Sequence, residues 1–334
     1  MPGKVKRSGS RNTCNTIAML TMSEPARKQK RVLLTGATGF VGRQIHRALF
    51  ADGHEVRVLI RPGSAGRLVA PADIVETPDL FAEPMSCLSA ACEGIDTLVH
   101  AAWYVEPGRY LEAEENLACL SGSLTLARAA AKVGVGQVIG IGTCFEYALP
   151  SERLTVDSPL KPDTLYAATK VALYTALERY LVGQSVSFAW ARLFYLHGEG
   201  EHSNRLVPYV RACLAEGKIA KLSAGTQLRD FLDVAEAGRQ IASIASSEQA
   251  GAINICSGRA ITLRAFVEDI ADETGQRDLL EFGSAPLRAG DPAAVVGVSN
   301  LAPLAPERAI HDESRDQAAH QSRGPDPARD GHSA

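Results

Sequence analysis

Tyr166 and Lys170 stand four residues apart in Tyr166-Ala-Ala-Thr-Lys170, which on a helix puts a phenol and an ammonium on one face. A free phenol releases its proton at about pH 10, too high for ready exchange at neutral pH. A cation beside it favours the phenolate and moves that value down, so the pair suits general acid–base chemistry. Thr143 lies 23 residues before Tyr166, directly after the apolar run Gln137-Val-Ile-Gly-Ile141. A hydroxyl at the carboxyl end of a parallel strand faces the ligand crevice of its sheet. Thr143 is therefore placed to hydrogen-bond the oxygen that Tyr166 protonates or deprotonates.

A second cluster sits near the amino end, in Thr35-Gly36-Ala37-Thr38-Gly39-Phe40-Val41-Gly42. Glycines at 36, 39 and 42 let the backbone turn tightly, approach a pyrophosphate and pack the following helix against the preceding strand. The amides of Phe40 and Val41 at that helix start then point at the phosphate. Because the loop follows an apolar strand and opens an amphipathic helix, it reads as a dinucleotide site. The ribose of such a cofactor is read at the end of the second strand, by an acid for NAD or a base for NADP. The sequence there is Val58-Leu59-Ile60-Arg61-Pro62. Arg61 suits a 2′-phosphate, so NADP is favoured over NAD.

These groups need a parallel sheet to hold them, and the patterning supplies one. Short apolar runs at 31–35, 55–60, 72–76, 96–100, 137–141 and 186–190 alternate with helical segments at 40–51, about 111–132 and 164–181. The expected fold is an α/β Rossmann-type doubly wound parallel sheet with a smaller α/β substrate lobe. Residues 31–190 form the dinucleotide domain, joined by a returning segment near 232–256, while 191–231 and 257–300 form the lobe. Residues 1–30 read as a basic leader without fixed structure, and 301–334, rich in Pro, Ala, Asp and Arg without aromatics, as a disordered tail.

The 334 residues carry a formal charge of −3, which gives no global case for nucleic-acid binding. That average hides an asymmetry. Residues 1–31 hold eight Lys and Arg against one acid, and the remainder holds 27 basic against 37 acidic side chains. The leader lacks an apolar core, so it is no secretory signal; a transit peptide is one alternative, and an extension upstream of a start at Met22 is the simpler one. No apolar run is long enough to span a membrane. Seven scattered cysteines, without a Cys-x-x-Cys pair or a histidine cluster, point to no metal site and to a reducing cytoplasm.

Taken together these motifs resemble the extended short-chain dehydrogenase/reductases of the NAD-dependent epimerase/dehydratase family, over roughly residues 31–300. Thr35 to Gly42 is similar to the family's Thr-Gly-x-x-Gly-x-x-Gly. By that resemblance Asp79-Leu80 contacts adenine, Ala101 and Ala102 after His100 lie against the cofactor, and Phe194 in Ala191-Arg-Leu-Phe flanks the nicotinamide. Tyr166 and Lys170 are the catalytic pair, with Lys170 also holding the nicotinamide ribose. Arg229-Asp230-Phe231 belongs to the substrate lobe, and the resemblance also implies a homodimer through the helices preceding strand five and carrying Tyr166.

Within the family, 4,6-dehydratases carry Thr-Asp-Glu where this chain has Thr143-Cys144-Phe145, so the extra acid and base are missing. Glu146 is one step late and reads as a local hydrogen-bonding residue. Epimerases commonly place Asn after the Arg-x-Phe; here Tyr195 follows. Gly142 to Tyr147, Ala191 to Gly198 and Gly225 to Phe231 most resemble the sugar-nucleotide ketoreductases that make CDP-abequose and dTDP-6-deoxy-L-talose, reducing the C4 ketone of a 4-keto-6-deoxyhexose nucleotide. The implied partner is a nucleotide sugar, with Arg229 and Arg288 holding its diphosphate and Arg205 a weaker candidate. A 4-epimerase, a reductase of non-sugar carbonyls, a nucleotide sensor and a cofactor-binding protein without turnover are the alternatives. The sensor class usually loses Tyr or Lys, and both are present. The last alternative arises because Val298-Ser-Asn-Leu-Ala-Pro303 replaces the family's usual closing segment.

Overall fold

The computed structural model describes residues 29–302 apart from 248, 288 and 289. Most of the basic leader, nearly all of the tail, and Arg288 lie outside the described residues. The chain opens with β1 (Arg31–Thr35), α1 (Phe40–Ala51), β2 (Glu55–Ile60), β3 (Asp73–Glu76), α2 (Met85–Cys92) and β4 (Thr97–His100). It continues with α3 (Glu115–Lys132), β5 (Gln137–Thr143), β6 (Ser151–Leu154), α4 (Leu165–Gly183) and β7 (Ser187–Leu193). Then come β8 (Tyr195–His197), α5 (Leu206–Ala215), β9 (Ala220–Leu222), β10 (Leu228–Arg229), β11 (Phe231–Asp233) and α6 (Val234–Ala245). The last described elements are β12 (Gly251–Ile255), β13 (Ile261–Thr262), α7 (Leu263–Asp272), β14 (Leu280–Phe282) and β15 (Ala294–Gly297).

Seven strands form the main parallel sheet in the order β12-β7-β5-β4-β1-β2-β3. β1 to β5 and β7 are those the patterning predicts, and β12, from the returning segment, adds a seventh at the edge. Alternation explains the layering. Val32 and Leu34 of β1 face α1 and α6, packing with Ile45, Leu49 and Ile241, whereas Leu33 faces the other way onto Leu88 of α2, Leu126 of α3 and Leu173 of α4. Strand order reverses between β1 and β4, and the crevice at their carboxyl ends is where such sheets take a ligand.

The smaller lobe differs from the expectation in one respect. Its four-stranded sheet, β13-β10-β15-β6, includes Ser151–Leu154, a segment assigned from sequence to the dinucleotide domain. The loop between β5 and α4 leaves the main sheet, pairs with β15 and returns. A separate core of Val207, Val210, Leu214, Leu222, Val267 and Ile270 joins α5 to α7.

Candidate active site

The crevice at the β1/β4 switch is built largely from backbone. Gly36 has φ +75°, and a Cβ there would lie 2.7 Å from the Ala102 nitrogen. A Cβ on Gly42 would strike the Gly36 carbonyl. The first helical bond of α1 runs from the Arg43 N–H to the Gly39 carbonyl (3.0 Å), so the amides of Phe40, Val41 and Gly42 precede the helical ladder, and no side chain caps them. Such a cradle fits a pyrophosphate.

A buried relay fixes the turn beside it. The Ser123 hydroxyl donates to the Cys119 carbonyl (2.6 Å), so it accepts from His100 Nε2 (2.7 Å). His100 Nδ1 is then the acceptor for the Thr35 hydroxyl (2.7 Å), whose oxygen accepts from the Ala102 N–H (3.2 Å). Burial, with the Lys170 charge second, pushes His100 down to about 3 and keeps the imidazole neutral. Ala101 and Ala102 are thereby pinned against the glycine loop.

Farther along the crevice, Arg61 is exposed just past β2. Arg67, which sequence reasoning missed, reaches back so that its Nη2 donates to the Thr38 carbonyl in the glycine loop (3.0 Å). Register also sets Glu76 of β3 opposite Ile60, so a carboxylate stands near the end of β2 after all; it accepts from the Gly63 N–H (3.3 Å). The reading of β2 by itself could not see an acid supplied by its neighbour. Asp79 turns the chain after β3 by accepting from the Phe81 N–H (3.0 Å), and Leu80 is buried beneath it. Phe194 packs into a small buried cluster with Cys144, Tyr147, Cys256 and Val295.

Thr143 ends β5, and Thr164 caps α4 by accepting from the Ala167 N–H (3.2 Å), which sets Tyr166 and Lys170 on the turn facing Thr143. The Thr143 side chain faces the Tyr166 phenol closely enough to favour its ionised form. Lys170 is buried, its Nζ donating to the Ile141 carbonyl (2.7 Å) and lying 3.6 Å from the Trp103 ring centroid and 5.9 Å from that of Tyr166. The structure thus brings Thr143, Tyr166 and Lys170 together.

It differs from the expectation in the phenol's acidity. Burial, followed by Tyr110 and Glu146, pushes Tyr166 upward, opposed by the Thr143 side chain. Desolvation outweighs the nearby cation because the loop before α3 covers the site. Tyr110 sits edge-on to Tyr166, with centroids 4.9 Å apart, and the Leu111 carbonyl accepts the Tyr166 N–H (2.9 Å). Asn116 anchors that loop: its Oδ1 accepts from Trp103 Nε1 (2.8 Å), and its Nδ2 donates to the Tyr110 and Ala113 carbonyls (2.7 and 2.8 Å). Burial pushes Lys170 down to about 7. Trp103 and Tyr110 carry no spacing signal in the sequence, because a loop brings them here, and Asn116, in the first turn of α3, meets them only through the fold.

On the lobe side, Arg229 is 2% exposed and ion-paired to Asp291 (2.6 Å), with a further bond to the Leu228 carbonyl (2.8 Å). Its guanidinium lies 5.0 Å from the Tyr195 ring centroid. Asp230 is fully buried and clasps three strand ends, accepting from the Ser257 N–H and hydroxyl, the Gly258 N–H and the Gly297 N–H. Arg205 pairs with Glu201 (3.2 Å) and lies over Phe40 of the glycine loop, which links the lobe to the cradle. Among the described residues no cluster of His, Cys, Asp and Glu could hold a metal, and no helix is long and apolar enough to cross a membrane.

The model of the NAD dependent epimerase/dehydratase family matches residues 32–256. The chain belongs to that family. Its members are NAD(P)-dependent enzymes, and this one shares the Rossmann-type sheet and the dinucleotide cradle. It is similar to dTDP-6-deoxy-L-talose 4-dehydrogenase (NAD(+)) of Aggregatibacter actinomycetemcomitans, 24% identical over 80% of this chain and 98% of the relative. It is 29% identical to dTDP-6-deoxy-L-talose 4-dehydrogenase (NAD(P)(+)) of Kitasatospora kifunensis over 76% of this chain and 82% of the relative. Among solved structures, UDP-N-acetylglucosamine 4-epimerase from Methanobrevibacter ruminantium shares the fold with a TM-score of 0.73, at 23% identity over 82% of this chain and 90% of the other.

Proposed function

We propose that this family member is an NADP-preferring ketoreductase that reduces the C4 ketone of a 4-keto-6-deoxyhexose nucleotide. The observation that carries the reading is the contact between Thr143 and Tyr166 beside a carboxylate, Glu146, that is fully engaged by its own donors. Dehydratase chemistry needs a free acid and base at that spot, and a single proton donor with a hydroxyl clamp suits ketone reduction. A bound nicotinamide supplies the hydride. Thr143 steadies the substrate oxygen, and Tyr166, whose raised pKa keeps it protonated at neutral pH, gives that oxygen its proton. Lys170 stands behind both, held by the Ile141 carbonyl and Trp103. Arg61 and Arg67 are the cations offered to a 2′-phosphate, and Arg229 with Arg288 to the substrate diphosphate. The two 4-dehydrogenase relatives support the C4 position.

The same reading places the enzyme in the reducing cytoplasm, supported by six described cysteines that are all thiols. It also takes a homodimer through α3 and α4, where Leu117 and Val182 are exposed, a state that sedimentation velocity would measure. The deciding experiment mixes purified protein with NADPH or NADH and 4-keto-6-deoxy sugar nucleotides of different bases. Loss of reduced-nicotinamide absorbance is expected, faster with NADPH. Cofactor binding without turnover of any of them would overturn the ketoreductase reading. Interconversion of a 4-hydroxy sugar nucleotide without net cofactor consumption would establish the epimerase instead.

A further inference from the structure

Glu146 is 0% exposed and Arg192 is 1% exposed, and they form an ion pair (2.7 Å) beneath the catalytic residues. Every acceptor site of this carboxylate has a purpose. Oε1 accepts from the Thr143 N–H (2.9 Å), both oxygens accept from Trp190 Nε1 (3.0 and 3.1 Å), and Oε2 accepts from Arg192 Nε. Arg192 Nη1 then donates to the Tyr147 hydroxyl (3.0 Å), which donates to Asn254 Oδ1 (2.7 Å), so the chain of contacts crosses from β5 through β7 to β12. The backbone is shaped to admit it: a Cβ on Gly142 would come within 2.5 Å of Glu146 Oε1, and one on Gly140 would strike the Trp190 ring. Burying two charges is costly unless each is fully partnered, and an apolar pair would fill the space at no such cost. A charged pair here therefore carries a cost that packing alone does not explain.

We propose that Glu146 is a positioning residue of the reaction, holding Thr143 in register with Tyr166 and imposing a negative charge beneath the site, with Arg192 as its obligatory partner. The inference rests on the ketoreductase reading for its chemistry, but its geometry stands apart from it. The carboxylate fixes Thr143 through the backbone, so the hydroxyl that clamps substrate is set by a group that never touches substrate. Its charge also reaches the two proton-handling groups. The titratable and charged groups that face it are Arg192 from β7, Cys144 and Tyr147 from its own turn, and Tyr166, Lys170 and Tyr174 from α4. Of these, Tyr166 and Lys170 are both kept in their protonated forms to higher pH by the carboxylate, so the proton that ketone reduction consumes is present on the phenol over a wider pH range.

Glu146→Gln keeps an acceptor for the Thr143 N–H and removes the charge. The expected result is a fall in kcat on the order of tenfold to a hundredfold, with NADPH affinity unchanged and the sugar-nucleotide KM little altered. The basic limb of the reduction pH profile should move to lower pH, because a phenol freed of a neighbouring anion loses its proton sooner. A fluorotyrosine placed at 166 and titrated by fluorine NMR, without substrate, should show the same downward shift. Because the glutamine leaves Arg192 buried without its anion, Glu146→Gln combined with Arg192→Met is made alongside, and should fold and show the lower Tyr166 pKa. A folded variant with unchanged pH profile and unchanged NMR titration would overturn the proposal, and so would failure of both variants to fold, which would make the pair a folding element. If the unmutated chain turns over no ketone, the ketoreductase reading fails by itself, and the NMR titration still decides the role of Glu146.

Discussion

The two walls of the crevice are made differently. The cofactor wall is backbone: a glycine loop that would not close with any side chain at 36 or 42, helix-start amides, and a turn pinned by the Thr35–His100–Ser123 relay. The lobe wall, which the proposed function gives to the substrate, is side chain: Arg229 against Asp291, Arg205 against Glu201, and aromatic rings on strands of two or three residues. A wall of backbone tolerates little variation and presents one shape to one cofactor class. A wall of paired charges can exchange partners, so substrate specificity is free to vary upon a constant dinucleotide site.

The largest effect expected is at the seam between them. Tyr166→Phe removes the proton donor and leaves the ring against Tyr110, so kcat should fall on the order of a thousandfold while NADPH titration by fluorescence gives an unchanged Kd. If cofactor affinity fell as far, the two walls would not be separable. Arg229→Met tests the substrate wall. Asp291 loses its charged partner and keeps only the Gln227 amide, and unfolding stability should drop by about 2 to 3 kcal/mol, with KM for the sugar nucleotide rising about tenfold and kcat moving less. Equal falls in kcat and kcat/KM would tell against a diphosphate role and leave Arg229 as a structural cation.

Smaller effects sharpen the cofactor wall. Arg61→Ser should narrow the NADPH-to-NADH ratio of kcat/KM by about tenfold, whereas an unchanged ratio would pass the discrimination to Arg67 and Glu76. The relay histidine gives a pH test. His100 ordinarily titrates at 6.5 and is pushed down to about 3 when folded, so between those values the unfolded chain binds a proton that the folded chain refuses. Its contribution is complete above pH 6.5 and is lost as pH falls through that window. His100→Gln should therefore weaken the dependence of urea stability on pH by about 1 kcal/mol between pH 7 and 5.5. An unaltered slope would show that His100 is not the group whose buried neutral form gives this pH dependence.

The same contrast governs how much could be read from sequence. Gly36 to Gly42 and Tyr166 to Lys170 are local patterns on one turn or one helix, and both were legible. Glu146 was legible as a local hydrogen-bonding residue, since a residue three after Thr143 can close a capping box, and it does. Its partner Arg192 was not, because that contact crosses from β5 to β7. The strands of the lobe were missed for a related reason. Ser151–Leu154 pairs with Ala294–Gly297, more than a hundred residues away, and segments this short have no period to detect. Helix α2, Met-Ser-Cys-Leu-Ser-Ala-Ala-Cys, has no charged residue to mark an outer face.

That pairing of β6 with β15 also has a consequence for synthesis. The segment linking Thr143 to Tyr166 is stitched at its midpoint to the last described strand, through β15 itself and through the Val298 N–H, which donates to the Leu154 carbonyl (2.8 Å). A chain emerging from the ribosome can therefore assemble β1 to β5 early, yet the arm between Thr143 and Tyr166 has no sheet to lie on until residue 297 is out. The arm that joins β5 to α4 gains its sheet only after the rest of both sheets has been made.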